Sequence, residues 1–190
     1  MKKLMLMVIA TAISVSTFAQ TTWKADPMHS FVAFSIKHMG ISFVNGNFTA
    51  FSGTLAAAKE DLSDAKINFT ADVNSVNTTV AMRDKHLKSG DFFDAEKYPT
   101  MKFESTNFKK LAGDNYELSG KLTIKDVTKD VVFKVVNGGT AKDNKGTVKA
   151  GFSATTNINR LDYNIDYDPA GAALAKNVEI KLNLEFIKTP

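Results

Sequence analysis

"AKINFTADV", residues 65 to 73, alternates without a fault: Ala65, Ile67, Phe69, Ala71 and Val73 share one phase, and Lys66, Asn68, Thr70 and Asp72 share the other. A period of two sends successive side chains to opposite faces of an extended chain, so this stretch reads as a strand with one apolar and one wet face. The same period returns in Met101 and Phe103 against Lys102 and Glu104, and in Tyr116, Leu118, Gly120, Leu122 and Ile124 against Glu117, Ser119, Lys121 and Thr123. It returns again in Ala150, Phe152, Ala154 and Ile158, and in Val178, Ile180, Leu182, Leu184 and Phe186. Less regular strands fit 31 to 38, 48 to 55 and 131 to 136, giving about eight in all.

Turn-forming residues at 113–115 (Gly-Asp-Asn), 126–128 (Asp-Val-Thr) and 137–139 (Asn-Gly-Gly) imply short connections between antiparallel neighbours. Eight such strands leave no unpaired edge if they close into a barrel. A two-sheet sandwich is the rival arrangement. The apolar phase mixes large residues with small ones, Ala65, Ala71, Gly120, Ala150 and Ala154. An eight-stranded barrel is either filled by side chains or holds one small ligand, and these gaps fit both an elongated apolar cavity and the close packing of neighbouring phenylalanines.

The first nineteen residues, "MKKLMLMVIATAISVSTFA", carry two lysines, a short apolar run and small residues before Gln20, the layout of a secretory signal peptide. Its removal would leave 171 residues (20–190) as one domain and lower the net charge from +4 to +2. The expected location is the periplasm or the cell exterior. The apolar run is shorter than the ~20 residues of a membrane anchor, so no stable membrane insertion is expected. Interspersed lysines and acids give no basic stripe for nucleic acid. With no cysteine, disulfides and thiol chemistry are excluded and the core must supply stability.

The densest polar stretch is "RDKHLKSGDFFDA", residues 83 to 95. With Thr78 or Thr79 as N-cap and Gly90 as stop, 80 to 89 reads as a short helix, followed by a turn whose Phe92 and Phe93 plug a barrel end. Asp84 and Lys88, four apart, are spaced to pair on it. The three histidines, His29, His38 and His86, are scattered and lack metal-ligand spacing. No GxSxG elbow appears, though a triad assembles through space and a hydrolase using His86 or His38 with nearby aspartates stays open.

Three stretches, "HSFVAFSIKHMGISFVNGNFTAFSG", "SVNTTVAMRDKHLKSGDFFDAEKYPTMKFESTNF" and "LSGKLTIKDVTKDVVF", resemble the YceI-like family of secreted polyisoprenoid-binding proteins, over nearly the whole chain after residue 19. The resemblance implies an all-β fold, a lipocalin-like antiparallel eight-stranded barrel with a short helical segment near residues 80–95, enclosing a polyisoprenoid or related long-chain lipid. Arg83, Asp84, His86, Leu87, Ser89, Asp91, Phe92, Phe93 and Asp94 match the family's RD-x-HLxSxDFFD motif. Where the family usually reads N-R-x-D-F-G, this chain reads Asn159-Arg160-Leu161-Asp162-Tyr163-Asn164, and the missing glycine leaves the local loop conformation open.

The expected function is non-enzymatic binding, storage or transport of such a lipid, without cofactor, metal or catalytic residue. The alternatives are the lipid-modifying enzyme above and a filled-barrel interaction module; a homodimer stays open. On the apolar phase, Phe34 and Ile36 of the first strand, Phe69, Phe103, Leu122, Phe152 and Leu182 are expected to line the ligand chain. His38 shares the phase of Phe34 and Ile36 and would point inward near one end, to meet a polar head or a backbone group.

Overall fold

The computed structural model describes residues 20–190; the signal-peptide expectation falls on residues 1–19, outside the described residues. Eleven strands form one sheet: β1 (Thr21–Ala25), β2 (Phe31–His38), β3 (Ser42–Phe48), β4 (Phe51–Ala57), β5 (Lys66–Asp72), β6 (Val76–Asn77), β7 (Thr100–Lys110), β8 (Asn115–Ile124), β9 (Val127–Lys142), β10 (Val148–Asn159) and β11 (Leu174–Lys188). A single α-helix, α1 (Ala81–Lys88), lies between β6 and β7.

The eleven segments make eight staves. β1 and β2 lie end to end along β11, with Ala25 opposite Phe186 and Phe31 opposite Asn183. β3 and β4 follow on β2 and β1 in the same broken fashion, and β6 and β5 on β3 and β4. From β7 to β11 each strand runs unbroken against the next, and β11 closes the ring on β1 and β2. The result is a closed, up-and-down antiparallel barrel of eight staves, which removes every long edge and settles barrel against sandwich.

Two expectations are overturned and one strand was unforeseen. Asn137-Gly138-Gly139 is not a turn but part of β9, where the register with β10 shifts between Gly151 and Phe152. Asn and Gly next to a strand end mark hairpins, but the same freedom serves a bulge, and Asn137 Oδ1 accepts from the Gly139 amide at 2.8 Å. The real reversal after β9 lies at Asp143, whose carboxylate accepts from the Lys145 and Thr147 amides. The expected strand at 48–55 is broken at Thr49 and Ala50, and β1 escaped notice because five residues carry too little period to register.

The expected N-cap is also corrected. The N-cap residue of α1 is Val80, without a side-chain cap. Thr78 instead donates its amide (2.8 Å) and hydroxyl (2.5 Å) to Asp84 Oδ1, so the first-turn acid reaches back to hold the incoming chain. Asp84 is thereby committed to Thr78 and forms no ion pair with Lys88.

Antiparallel alternation places the connections between staves at one of two ends. One end carries the N-terminal start of β1 and the β4–β5, β7–β8 and β9–β10 connections, and it is solid: Trp23, Leu55, Leu62, Tyr116 and Phe186 are all buried, with Phe108 stacked on Tyr116 at 4.8 Å. The other end carries the β2–β3 turn, α1, the β8–β9 turn and the 160–173 loop. It is the open end.

Candidate ligand cavity

A cavity of about 740 Å³ runs from the open end into the barrel, within the range of small-molecule sites. Its wall is the apolar phase of the staves. Phe34, Ile36 and His38 from β2, Phe69 from β5, Phe103 from β7, Leu122 from β8, Phe152 from β10 and Leu182 from β11 all border it. The alternating strands point these side chains inward while their lysine, asparagine and threonine neighbours face water.

The two readings of the small residues divide by position. Ala71 and Ala154 face the lumen and leave space there. Gly120 does not: a Cβ built on it would overlap the Phe103 ring and the Glu104 carbonyl oxygen. Gly46 and Gly53 receive the rings of their cross-strand partners Phe34 and Phe69 in the same way. The glycines let three large rings lie back against the wall, which fills the wall and keeps the lumen clear.

All polar lining groups cluster at the open end. His38 and Ser42 face each other across the β2–β3 hairpin, Arg83 and His86 come from α1, Lys102 from β7, and Arg160 and Tyr167 from the 160–173 loop. Among the described residues, no carboxylate belongs to this lining. The Asp91–Ala95 turn seals one side, with Phe92 buried and Phe93 packed edge-on against Phe48 at 5.8 Å, as the plug reading anticipated.

The chemistry of the 83–95 segment is structural in its contacts. Arg83 Nε donates to Thr78 Oγ1 and Nη2 to the Thr78 carbonyl, both at 2.8 Å. His86 Nε2 lies 2.9 Å from Asp91 Oδ2, and its ring packs on Phe92 and Tyr167 at 5.0 and 5.1 Å. Among the described residues, no serine or threonine hydroxyl is hydrogen-bonded to a histidine ring, the contact a Ser–His nucleophile needs.

Sequence inspection missed the hub of the mouth, Arg160. Only 2% exposed, it donates to the carbonyls of Ala175 (2.9 Å), Ile165 (2.7 Å), Asp168 (2.8 Å) and Leu174 (3.0 Å). Burial pushes its pKa down, opposed by Asp168 and Asp166. The Asp168 carboxylate accepts from the Leu174 and Ala173 amides, which holds its pKa below the usual carboxylate range. The question of the missing glycine resolves here: Asn164 takes the left-handed conformation (φ 55°, ψ 38°), which asparagine tolerates better than most residues.

The three histidines stay apart in space: His38 and His86 border the open end, and His29 lies at the break between β1 and β2. Asp26, His29 and Glu185 converge on the bulge between β1 and β2, their ligand atoms all within 4.8 Å. Lys149 Nζ enters the same cluster, 2.6 Å from Glu185 Oε1 and 3.8 Å from Asp26 Oδ2, so an ammonium already supplies the positive charge. The hydrogen bond from His29 lowers the Asp26 pKa and that to Glu185 raises the Lys149 pKa. The cluster fastens the strand break to β11.

A closed eight-stranded barrel, solid at one end and holding an apolar lumen with a polar mouth at the other, defines the class of small β-barrels built to enclose a ligand. The chain belongs to the YceI-like family: the YceI-like domain matches residues 23–186. A UPF0312 protein of Pectobacterium atrosepticum is 36% identical over 192 residues, covering 99% of this chain and 98% of its own. Among solved structures, BcnA of Burkholderia cenocepacia aligns with a TM-score of 0.75 at 26% identity, over 85% of this chain and 98% of its own. A polyisoprenoid binding domain from Saccharophagus degradans, implicated in plant cell wall breakdown, shares the fold with a TM-score of 0.64 at 15% identity, over 92% of this chain and all of its own.

Proposed function

We propose that this protein binds a polyisoprenoid or other long-chain lipid in the barrel lumen, without chemical turnover, and stores or carries it in the cell envelope. The observation that carries this reading is the lumen itself: about 740 Å³, walled by phenylalanine, leucine and isoleucine, with polar groups confined to its mouth. Burial of an apolar chain contributes about 0.8 kcal/mol per methylene, so ten methylenes give roughly 8 kcal/mol before ordering costs. Chain length, more than head group, then sets affinity. Phe34, Ile36, Phe69, Phe103, Leu122, Phe152 and Leu182 contact the chain in this reading, and His38 lies near its head. The shared fold of a polyisoprenoid binding domain supports it at the level of architecture.

Native mass spectrometry of the protein purified from its own host is the direct test. A co-purified long-chain lipid, displaced by an added isoprenoid, is the expected result. An empty lumen that takes up neither isoprenoid nor acyl chain would reject the reading.

A further inference from the structure

Large apolar side chains are exposed around the open end of the barrel. Ile41 and Met82 are each 84% exposed, and Met39, Phe43, Val80 and Tyr167 are exposed beside them. They come from three connections that the topology makes neighbours. The β2–β3 turn touches the 160–173 loop through the Met39 amide and the Ala173 carbonyl (2.8 Å), and that loop meets α1 where Tyr167 packs on His86. The β8–β9 turn, across the barrel, carries Lys125 and Asp126 and no exposed large apolar residue. The collar is therefore one-sided.

Two further features say what covers it. Phe43 and Tyr167 border the lumen with one part and solvent with another, so apolar surface runs without a break from the cavity to the outside. Met39 sits at φ 52°, beside Gly40 at φ 74°, a turn position that favours asparagine or glycine, yet it presents a bare thioether chain to water. Beside these side chains stand the exposed Lys37 and Lys85, and among the described residues neither is in an ion pair. The one acid of α1, Asp84, is held by Thr78. Exposed acids stand on the Tyr167 side, Asp91 against His86 and Asp166 next to Tyr167, while the side formed by the β2–β3 turn and α1 carries the lysines. Contiguous apolar surface with a charged rim is the signature of an interface. A second copy of the chain would bring Lys37 and Lys85 against their own kind, which opposes a self-complementary contact.

We infer that this collar docks on the surface of an anionic lipid bilayer, with Ile41 and Met82 dipping among the lipids and Lys37 and Lys85 on their head groups. This rests on the lipid-binding reading of the lumen and extends it: an apolar chain passes from the bilayer along Phe43 and Tyr167 without crossing water. The contact is peripheral. Among the described residues no helix is long and apolar enough to cross a membrane.

Flotation of the purified protein with vesicles of phosphatidylcholine, with and without phosphatidylglycerol, is the test, alongside uptake of a fluorescent fatty acid offered in solution. Flotation is expected with phosphatidylglycerol. Ile41→Ser and Met82→Ser should each weaken it about tenfold, and Lys37→Glu and Lys85→Glu about fivefold or more. Uptake from solution should be unchanged in all four, because none of the four borders the lumen. Failure of the unaltered protein to float at either composition, or equal flotation of the serine variants, overturns the inference. So does a dimer that the serine variants dissolve, which would assign the collar to a second copy. Flotation that follows the expected pattern with uptake of neither fatty acid nor isoprenoid supports docking while rejecting the lumen reading, so the two fail separately.

Discussion

The ring of Phe103 occupies the space over Gly120 on the neighbouring strand, where no Cβ can be accommodated. Gly120 is thus a wall residue, while Ala154, two strands further round, faces the open lumen. Substitutions at the two sites separate packing from binding. Gly120→Ala should cost about 2 kcal/mol, because Phe103 must leave its seat and the Glu104 backbone cannot yield. Ala154→Trp should cost less and empty the lumen of lipid. Chemical denaturation and native mass spectrometry of both variants check this, and severe loss of stability in Ala154→Trp with lipid retained would contradict the assignment of that space.

Much of this arrangement was legible in residue order. Wherever one face of a strand is wet, as in 65–73 and 116–124, a period of two names the inward side chains outright, and all eight residues expected to line a ligand do border the cavity. Other features have no such signal. The breaks in the first three staves depend on the pairing of β1 and β2 along β11, a long-range property. Whether Gly120 opens a gap or seats a ring depends on Phe103, seventeen positions away in sequence. Arg160 carries no periodic mark either, since its partners are four backbone carbonyls that any sequence would supply.

The polar segment at 83–95 separates into a buried hub and an exposed pair. Asp84 accepts two hydrogen bonds from Thr78, which is 2% exposed, so Asp84→Ala strands two buried donors and should destabilise by about 2 kcal/mol. His86 and Asp91 are both substantially exposed, and His86→Ala should cost under about 1 kcal/mol. Urea denaturation of the two variants decides it. Equal losses would mean that His86 holds the mouth together as firmly as Asp84 does.

Arg160 supports the 160–173 loop by geometry more than by charge. Its planar fork reaches four carbonyls in different directions, which a lysine ammonium cannot do from one point. Arg160→Lys is therefore expected to cost about 3 kcal/mol, nearly as much as Arg160→Met, since either leaves several buried carbonyls unpaired. Amide exchange at Ala173 and Leu174, whose amides donate to Asp168, should accelerate in both. A lysine variant with native exchange there would show that charge alone suffices.

Tyr163 stands where the resembling motif has phenylalanine, and among the described residues its buried hydroxyl has no hydrogen-bond partner. Burial pushes its pKa up to about 12, with Asp162 adding to the rise. Two consequences follow from one cause. Tyr163→Phe removes an unsatisfied polar atom and should leave stability at neutral pH unchanged or higher by about 1 kcal/mol. A pKa raised in the folded state means that the neutral phenol contributes full stability below about pH 10, where the unfolded chain also keeps its proton. That contribution is lost as pH rises from about 10 towards 12, by roughly 2 kcal/mol over the interval. Denaturation midpoints measured from pH 8 to about 12 should fall more steeply for the native protein than for Tyr163→Phe. Parallel curves would mean that the Tyr163 hydroxyl reaches water in solution.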